Sequence, residues 1–211
     1  MHYKTSTQLF HGTYQYKVVL VCAGASIFRN KDLDNAIATL ENIDLSNIKT
    51  NTFSRYNHSI KTQEDLDYAR SLHKCLIKLE DFNLRVEVPY VSVYTNNKKD
   101  VDSLIKLDTN RVKYVCVPPK NTTLESGVII LPKVPFDYKV TLGKTIQDHS
   151  SFISWAEANS KVKLTKSCAK ELSKTRSWGG TYFYISGENN LLLAKMHLGR
   201  SINKIERIVK A

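Results

Sequence analysis

Residues 176–210, RSWGGTYFYISGENNLLLAKMHLGRSINKIERIVK, read as a strand, a polar turn, a helix and a second strand in one pass. Thr181–Ser186, where TYFYI alternates, and Ile202–Val209 read as the strands, with Leu191–Leu198 as the short helix between them. A shorter echo lies upstream at residues 91–117, VSVYTNNKKDVDSLIKLDTNRVKYVCV, with a Tyr-bearing run, an Asn-rich turn, an apolar-spaced segment and a second run. The chain is therefore expected to be built from a repeated β-α-β half.

Outward from these stretches, Tyr14–Cys22 has the β-branched density of a buried strand. Asn30 is expected to cap a helix carrying Leu33, Ala36, Ile37, Leu40 and Ile43, and residues 44–61 read as a loop or an edge strand. Thr62 with Asp65 approximates a capping box for a helix that runs to about Asp81. Arg70, Lys74 and Lys78 form a basic stripe on it. Leu84–Thr95 reads as one strand, with Pro89 at an edge or a bulge, and Arg111–Val117 as another. Residues 1–118 then form an N-terminal α+β module, 119–136 a Pro-rich linker with one short strand, and 137–211 a C-terminal module.

In the C-terminal module, Tyr138–Leu142 is a strand, Asp148 or Ser150 caps a helix, and Val162 with Leu164 marks a second strand before a basic connection. The resulting order, β-α-β-β-α-β, is the ferredoxin-like split β-α-β pattern. The expected fold class is α+β, with two ferredoxin-like, RRM-like halves and antiparallel sheets.

The 31 Lys and Arg against 20 Asp and Glu give a net charge of +11, and residues 101–211 hold 18 of the basic and only 9 of the acidic side chains. A field concentrated in one half points to a polyanionic partner. Cys22, Cys75, Cys116 and Cys168 are too dispersed for a zinc site or a disulfide frame, which suits a reducing compartment. No signal peptide is read, and the longest apolar-leaning run, Val18–Phe28, is too short to span a bilayer, so a cytoplasmic protein without a membrane partner is expected.

The densest positive charge is SKVKLTKSCAKELSKTRSW, where Lys161, Lys163, Lys166, Lys170, Lys174 and Arg176 surround one acid, Glu171. Trp178, Tyr182 and Tyr184 follow, the two tyrosines on one strand face. Cations that track phosphates beside rings that stack bases are what single-stranded nucleic acid needs. The run RSWGGTYFYI resembles, without matching, the K/R-G-F/Y-G/A-F-V-x-F/Y motif of RNA-recognition domains. Over these ten or so residues it implies a basic loop and sheet-face rings binding RNA, but the neighbouring strand Tyr138–Leu142 supplies no second stacking ring, so no family membership follows.

The expected partner is RNA or single-stranded DNA. The alternative is an acidic protein surface docked by a viral or cellular interaction or assembly factor. Neither metal nor cofactor is expected: His2, His11, His58, His73, His149 and His197 lack metal-ligand spacing. Cys168 between Lys166 and Lys170 lacks an orienting base. A metal-independent endoribonuclease is the remaining alternative, with His149 or His197 as its nearest candidates.

Overall fold

Two similar runs, YKVVL at Tyr16–Leu20 and YKVTL at Tyr138–Leu142, lie in the middle strands of two five-stranded sheets. The computed structural model describes residues 2–45, 60–120, 122–144, 149–174 and 178–210, which divide into two units, Met1–Leu124 and Glu125–Ala211.

The first unit contains β1 (Tyr3–Thr5), β2 (Tyr16–Val21), a 3-10 turn over Ala25–Lys31, α1 (Leu33–Glu41), α2 (Gln63–Leu76), β3 (Phe82–Glu87), β4 (Tyr90–Thr95), α3 (Lys98–Leu107), a 3-10 turn over Thr109–Arg111 and β5 (Val112–Val117). Its sheet order is β1-β5-β2-β4-β3. The second unit contains β6 (Val128–Ile130), β7 (Tyr138–Leu142), α4 (Ser150–Ala158), β8 (Val162–Leu164), α5 (Lys166–Leu172), β9 (Tyr182–Ile185), α6 (Glu188–Leu198), a 3-10 turn over Gly199–Ser201 and β10 (Ile202–Val209), in the order β6-β10-β7-β9-β8.

The two orders are the same. In each sheet one outer strand is parallel to its neighbour, β1 to β5 and β6 to β10, and every other pair is antiparallel. The protein is thus α+β with two mixed sheets, which corrects the expectation of antiparallel ones. A parallel pair needs a long connection, and here most of each unit lies between the two partners.

The likeness extends to register. A constant spacing of 90 residues separates Thr95 from Ile185 at the ends of β4 and β9, Lys98 from Glu188 at the starts of α3 and α6, and Val112 from Ile202 at the starts of β5 and β10. Pairing of the last strand with the middle strand is irregular at the same place in both, so that Lys113 and Asn203 are the extra residues of equivalent bulges.

Several elements differ from expectation. Leu84–Thr95 is not one strand but the hairpin β3–β4, in which Glu87 pairs with Tyr90 and Val88-Pro89 makes the turn. Pro has no N–H for the ladder, so the strand ends there. The helix cap in the first unit is Asp32, whose carboxylate accepts from the Asn35 N–H at 3.0 Å, whereas Asn30 sits in the left-handed region at φ 62°. Thr62 does cap α2, accepting from the Asp65 N–H at 3.1 Å. The basic connection before Tyr182 is partly a helix, α5, because Thr165 caps it and Cys168 and Leu172 supply a buried stripe one turn apart. Within 119–136, Leu124 is held in the first unit by hydrogen bonds with Gln15, while the short strand is β6, an edge of the second sheet. Of the stretch 44–61, residues 46–59 lie outside the described residues.

Helices cover one face of each sheet. Val18, Leu20, Val91, Val93 and Val115 pack with Leu40, Leu66, Leu72, Leu76 and Leu104 in the first unit. In the second, Val140, Leu142, Phe183 and Ile185 pack with Phe152, Cys168, Leu172, Leu191 and Leu198. Each such side chain contributes about 1.5–3 kcal/mol when removed from water. Strand alternation turns the intervening residues to the opposite, helix-free face.

Candidate functional site

On β9, Phe183 and Ile185 enter the second core, so Tyr182 and Tyr184 stand on the helix-free face. Register puts Lys163 of β8 and Lys139 of β7 on either side of Tyr184, with Glu206 of β10 beyond Lys139. The Lys139 ammonium lies 4.6 Å from the Tyr182 ring centroid and 3.8 Å from the Glu206 carboxylate. Lys204 reaches the same carboxylate at 2.7 Å, and Glu206 is only 3% exposed. The Tyr182 and Tyr184 rings meet edge to face at 5.5 Å, and Phe136 stacks on Tyr184 at 5.9 Å and 18°. Burial, then the hydrogen bond with Tyr182, raises the Tyr184 phenol above its ordinary pKa, so it stays protonated at neutral pH. Phe136 is thus the second ring that Tyr138–Leu142 lacked. It precedes the strand, where alternation carries no information.

The structure separates the remaining basic residues from these rings. α5 enters the helix side of the core through Cys168 and Leu172, so the exposed Lys166 and Lys170 belong to the covered face. Lys174, at its end, is exposed and ion-paired with Glu171. Lys161 is exposed at the turn into β8, its carbonyl accepting from the Ser186 N–H at 2.9 Å. Arg176 lies outside the described residues. Trp178 is 83% exposed, with the Lys144 ammonium 5.6 Å from its ring. The next residue, Gly179 at φ 79°, passes so close to Gly143 that a Cβ would stand 2.5 Å from its carbonyl carbon, so only glycine fits.

The other candidates have structural places. His149 is buried, its Nε2 3.2 Å from Ser201 Oγ, and the exposed His197 stacks on Trp155 at 5.5 Å. Burial pushes the Cys168 thiol up to about 11, so the flanking lysines do not make it a thiolate. Among the described residues, no group of three or more His, Cys, Asp or Glu could hold a metal ion, and no helix is long and apolar enough to cross a membrane.

The helix-free face of the first sheet has a related composition. Lys4 (β1), Cys116 (β5), Lys17 (β2) and Tyr94 (β4) form one cross-strand row. The Lys4 ammonium lies 4.1 Å from the Tyr114 ring centroid, Lys17 lies 5.6 Å from Tyr114 and 5.5 Å from Tyr94, and Lys113 lies 3.5 Å from Tyr90. Burial opposes the Lys17 charge, but the Tyr114 hydroxyl and the neighbouring Tyr94 and Cys116 more than offset this and raise its pKa. Phe10 and His11 enclose Tyr94, at 5.6 and 4.5 Å, and leave it 3% exposed. Lys4, Lys17, Lys113 and Tyr114 were missed from sequence. The shared YKV of the two middle strands is the signal that could have placed Lys17 and Lys139 together. Compared with known proteins, the chain matches no protein-family model, no curated protein and no solved structure.

Proposed function

We propose that each unit is a ferredoxin-like, RRM-like β-α-β-β-α-β half with an added parallel edge strand, and that the protein binds single-stranded nucleic acid, RNA above all, without catalysing its cleavage. The reading is carried by the row Lys163–Tyr184–Lys139 beside Tyr182 on a helix-free sheet face. Such a row alternates cations for phosphates with rings for bases. Lys166, Lys170 and Lys174 supply a second, peripheral field that steers the strand rather than holding it. Four free thiols suit a cytoplasmic, reducing setting.

The test is fluorescence anisotropy of a labelled oligo(U) with the whole protein across a salt series. Lys163→Gln is expected to make the slope of log K against log salt shallower by about 0.7. Absence of binding even at low salt refutes the reading.

A protein-interaction or assembly role is the second reading, favoured by α6. Its Leu192, Leu193 and Met196 are exposed, whereas Asp102, Ser103 and Lys106 hold the equivalent places on α3. Retention of a partner by the wild type that is lost with Met196→Glu, at unchanged oligo(U) affinity, supports that role.

A further inference from the structure

We propose a second single-stranded nucleic-acid site on the helix-free face of the first sheet, formed by Lys4, Lys17 and Lys113 with Tyr90 and Tyr114. The inference rests on the nucleic-acid reading above and extends it to a surface with a different charge balance. Cys116 and Glu206 hold equivalent positions, each paired with the middle-strand lysine, Lys17 or Lys139. In the second sheet that position supplies a buried carboxylate which engages Lys139 and Lys204. In the first it supplies a thiol whose pKa is raised by burial, so it stays neutral beside Lys17 and Lys4. Among the described residues, Lys4, Lys17 and Lys113 form no ion pair.

The equivalent bulges also differ in content. An extra residue re-aims a side chain, and in β5 that residue is Lys113, whose ammonium is carried onto Tyr90, whereas β10 has the neutral Asn203. The first face therefore gathers three uncompensated cations over two half-buried rings, Tyr90 and Tyr114. Tyr94, enclosed by Phe10 and His11, serves as a floor beneath Lys17 rather than a stacking platform. A polyanion whose charges are spaced along a chain and separated by flat groups fits this pattern. An acidic peptide offers the charge but not the flat groups for Tyr90 and Tyr114.

The test counts oligo(U) of about 6 nucleotides, short enough for a single site, bound per chain by native mass spectrometry with the full-length protein. The expected stoichiometry is two, falling to one in Lys4→Gln/Lys113→Gln, both exposed positions. Oligo-glutamate of equal charge is expected to compete poorly for the lost site. Two oligonucleotides on the double variant overturn the assignment of these lysines. One on the wild type, lost with Lys139→Gln/Lys163→Gln and kept by Lys4→Gln/Lys113→Gln, overturns the second site while leaving the reading of the second unit intact. None on the wild type overturns both, and equal competition by oligo-glutamate overturns nucleic acid as the occupant.

Discussion

The two helix-free faces carry the same central lysine in the same strand of the same sheet order, yet its neighbours differ. Lys139 lies between Tyr184 and the carboxylate of Glu206, Lys17 between Tyr94 and the thiol of Cys116. One side chain at an equivalent register position thus decides whether the lysines of a face are engaged internally or left for an anion. The residues closing each unit differ in the same way. Arg111 and Ser201, 90 positions apart, both end the 3-10 turn before the last strand and both tie it to the start of a helix on the covered face. Arg111 does so through Asp65 at 2.8 Å and Glu64 at 3.3 Å, and Ser201 through His149. A backbone frame held constant admits an ion pair in one unit and a hydroxyl–imidazole contact in the other.

The comparison breaks hardest at the cores. Phe152 is fully buried against Phe183, and Phe152→Ala is expected to cost the second unit about 3–5 kcal/mol. Both tryptophans, Trp155 and Trp178, belong to that unit, so the loss is read there by tryptophan fluorescence during denaturation.

The equivalent tyrosines should fail differently. Tyr184 is half-buried on its face, and Tyr184→Ala is expected to lose about 1–3 kcal/mol of oligo(U) binding. Tyr94→Ala, made beneath Phe10 and His11, is expected to lower the unfolding midpoint of the first unit, measured by hydrogen exchange in β2 and β5. A binding loss at unchanged stability in Tyr94→Ala contradicts that division.

Glu206→Gln sharpens the comparison because its two effects have opposite signs. Losing a buried carboxylate that accepts from Lys204 and is ion-paired with Lys139 is expected to cost about 1–3 kcal/mol of stability. Freeing Lys139 and Lys204 is expected to tighten oligo(U) binding and steepen the salt slope by about 0.7 for each lysine that reaches a phosphate. Anisotropy and urea denaturation on one sample read both signs.

The smallest effect concerns the Arg111 ion pairs. Burial alone would raise the Asp65 pKa, but hydrogen bonds accepted from the Arg111 guanidinium and the Thr62 hydroxyl, with the Arg111 charge, hold it below the ordinary carboxylate value. A depressed folded-state pKa adds stability that is present above the unfolded value and is lost as pH falls through the folded one. Asp65→Asn is therefore expected to cost about 1 kcal/mol near neutral pH, with the difference from wild type fading below about pH 4. Urea midpoints across that range check it.

How much was legible follows from which physical signals are local. The helix of residues 188–198 and the strand of residues 202–209 were readable because period and turn chemistry lie within the segment itself. The Tyr182 and Tyr184 face followed from alternation alone. Lys139 and Lys204 became part of the site only through strand order, which brings β7 between β9 and β10 and is invisible to any window of sequence. Lys166 and Lys170 are neighbours of the tyrosines in sequence but sit on α5, which packs on the covered side of the sheet. Cys168 and Leu172, spaced one helical turn apart, already marked the helix that carries those lysines toward the covered side. The hairpin at Pro89 was hidden because residues 84–95 alternate almost without interruption across the turn.

The central claim is that the helix-free sheet faces bind the strand, and ultraviolet cross-linking of oligo(U) to the whole protein, with the linked peptides identified by mass spectrometry, tests it most directly. The account predicts adducts on peptides carrying Tyr182 or Tyr184 and on those carrying Tyr90 or Tyr114, all suppressed at high salt. Adducts confined to Trp178 and to the α5 peptide with Lys166 and Lys170, sparing both sets of tyrosines, would contradict it.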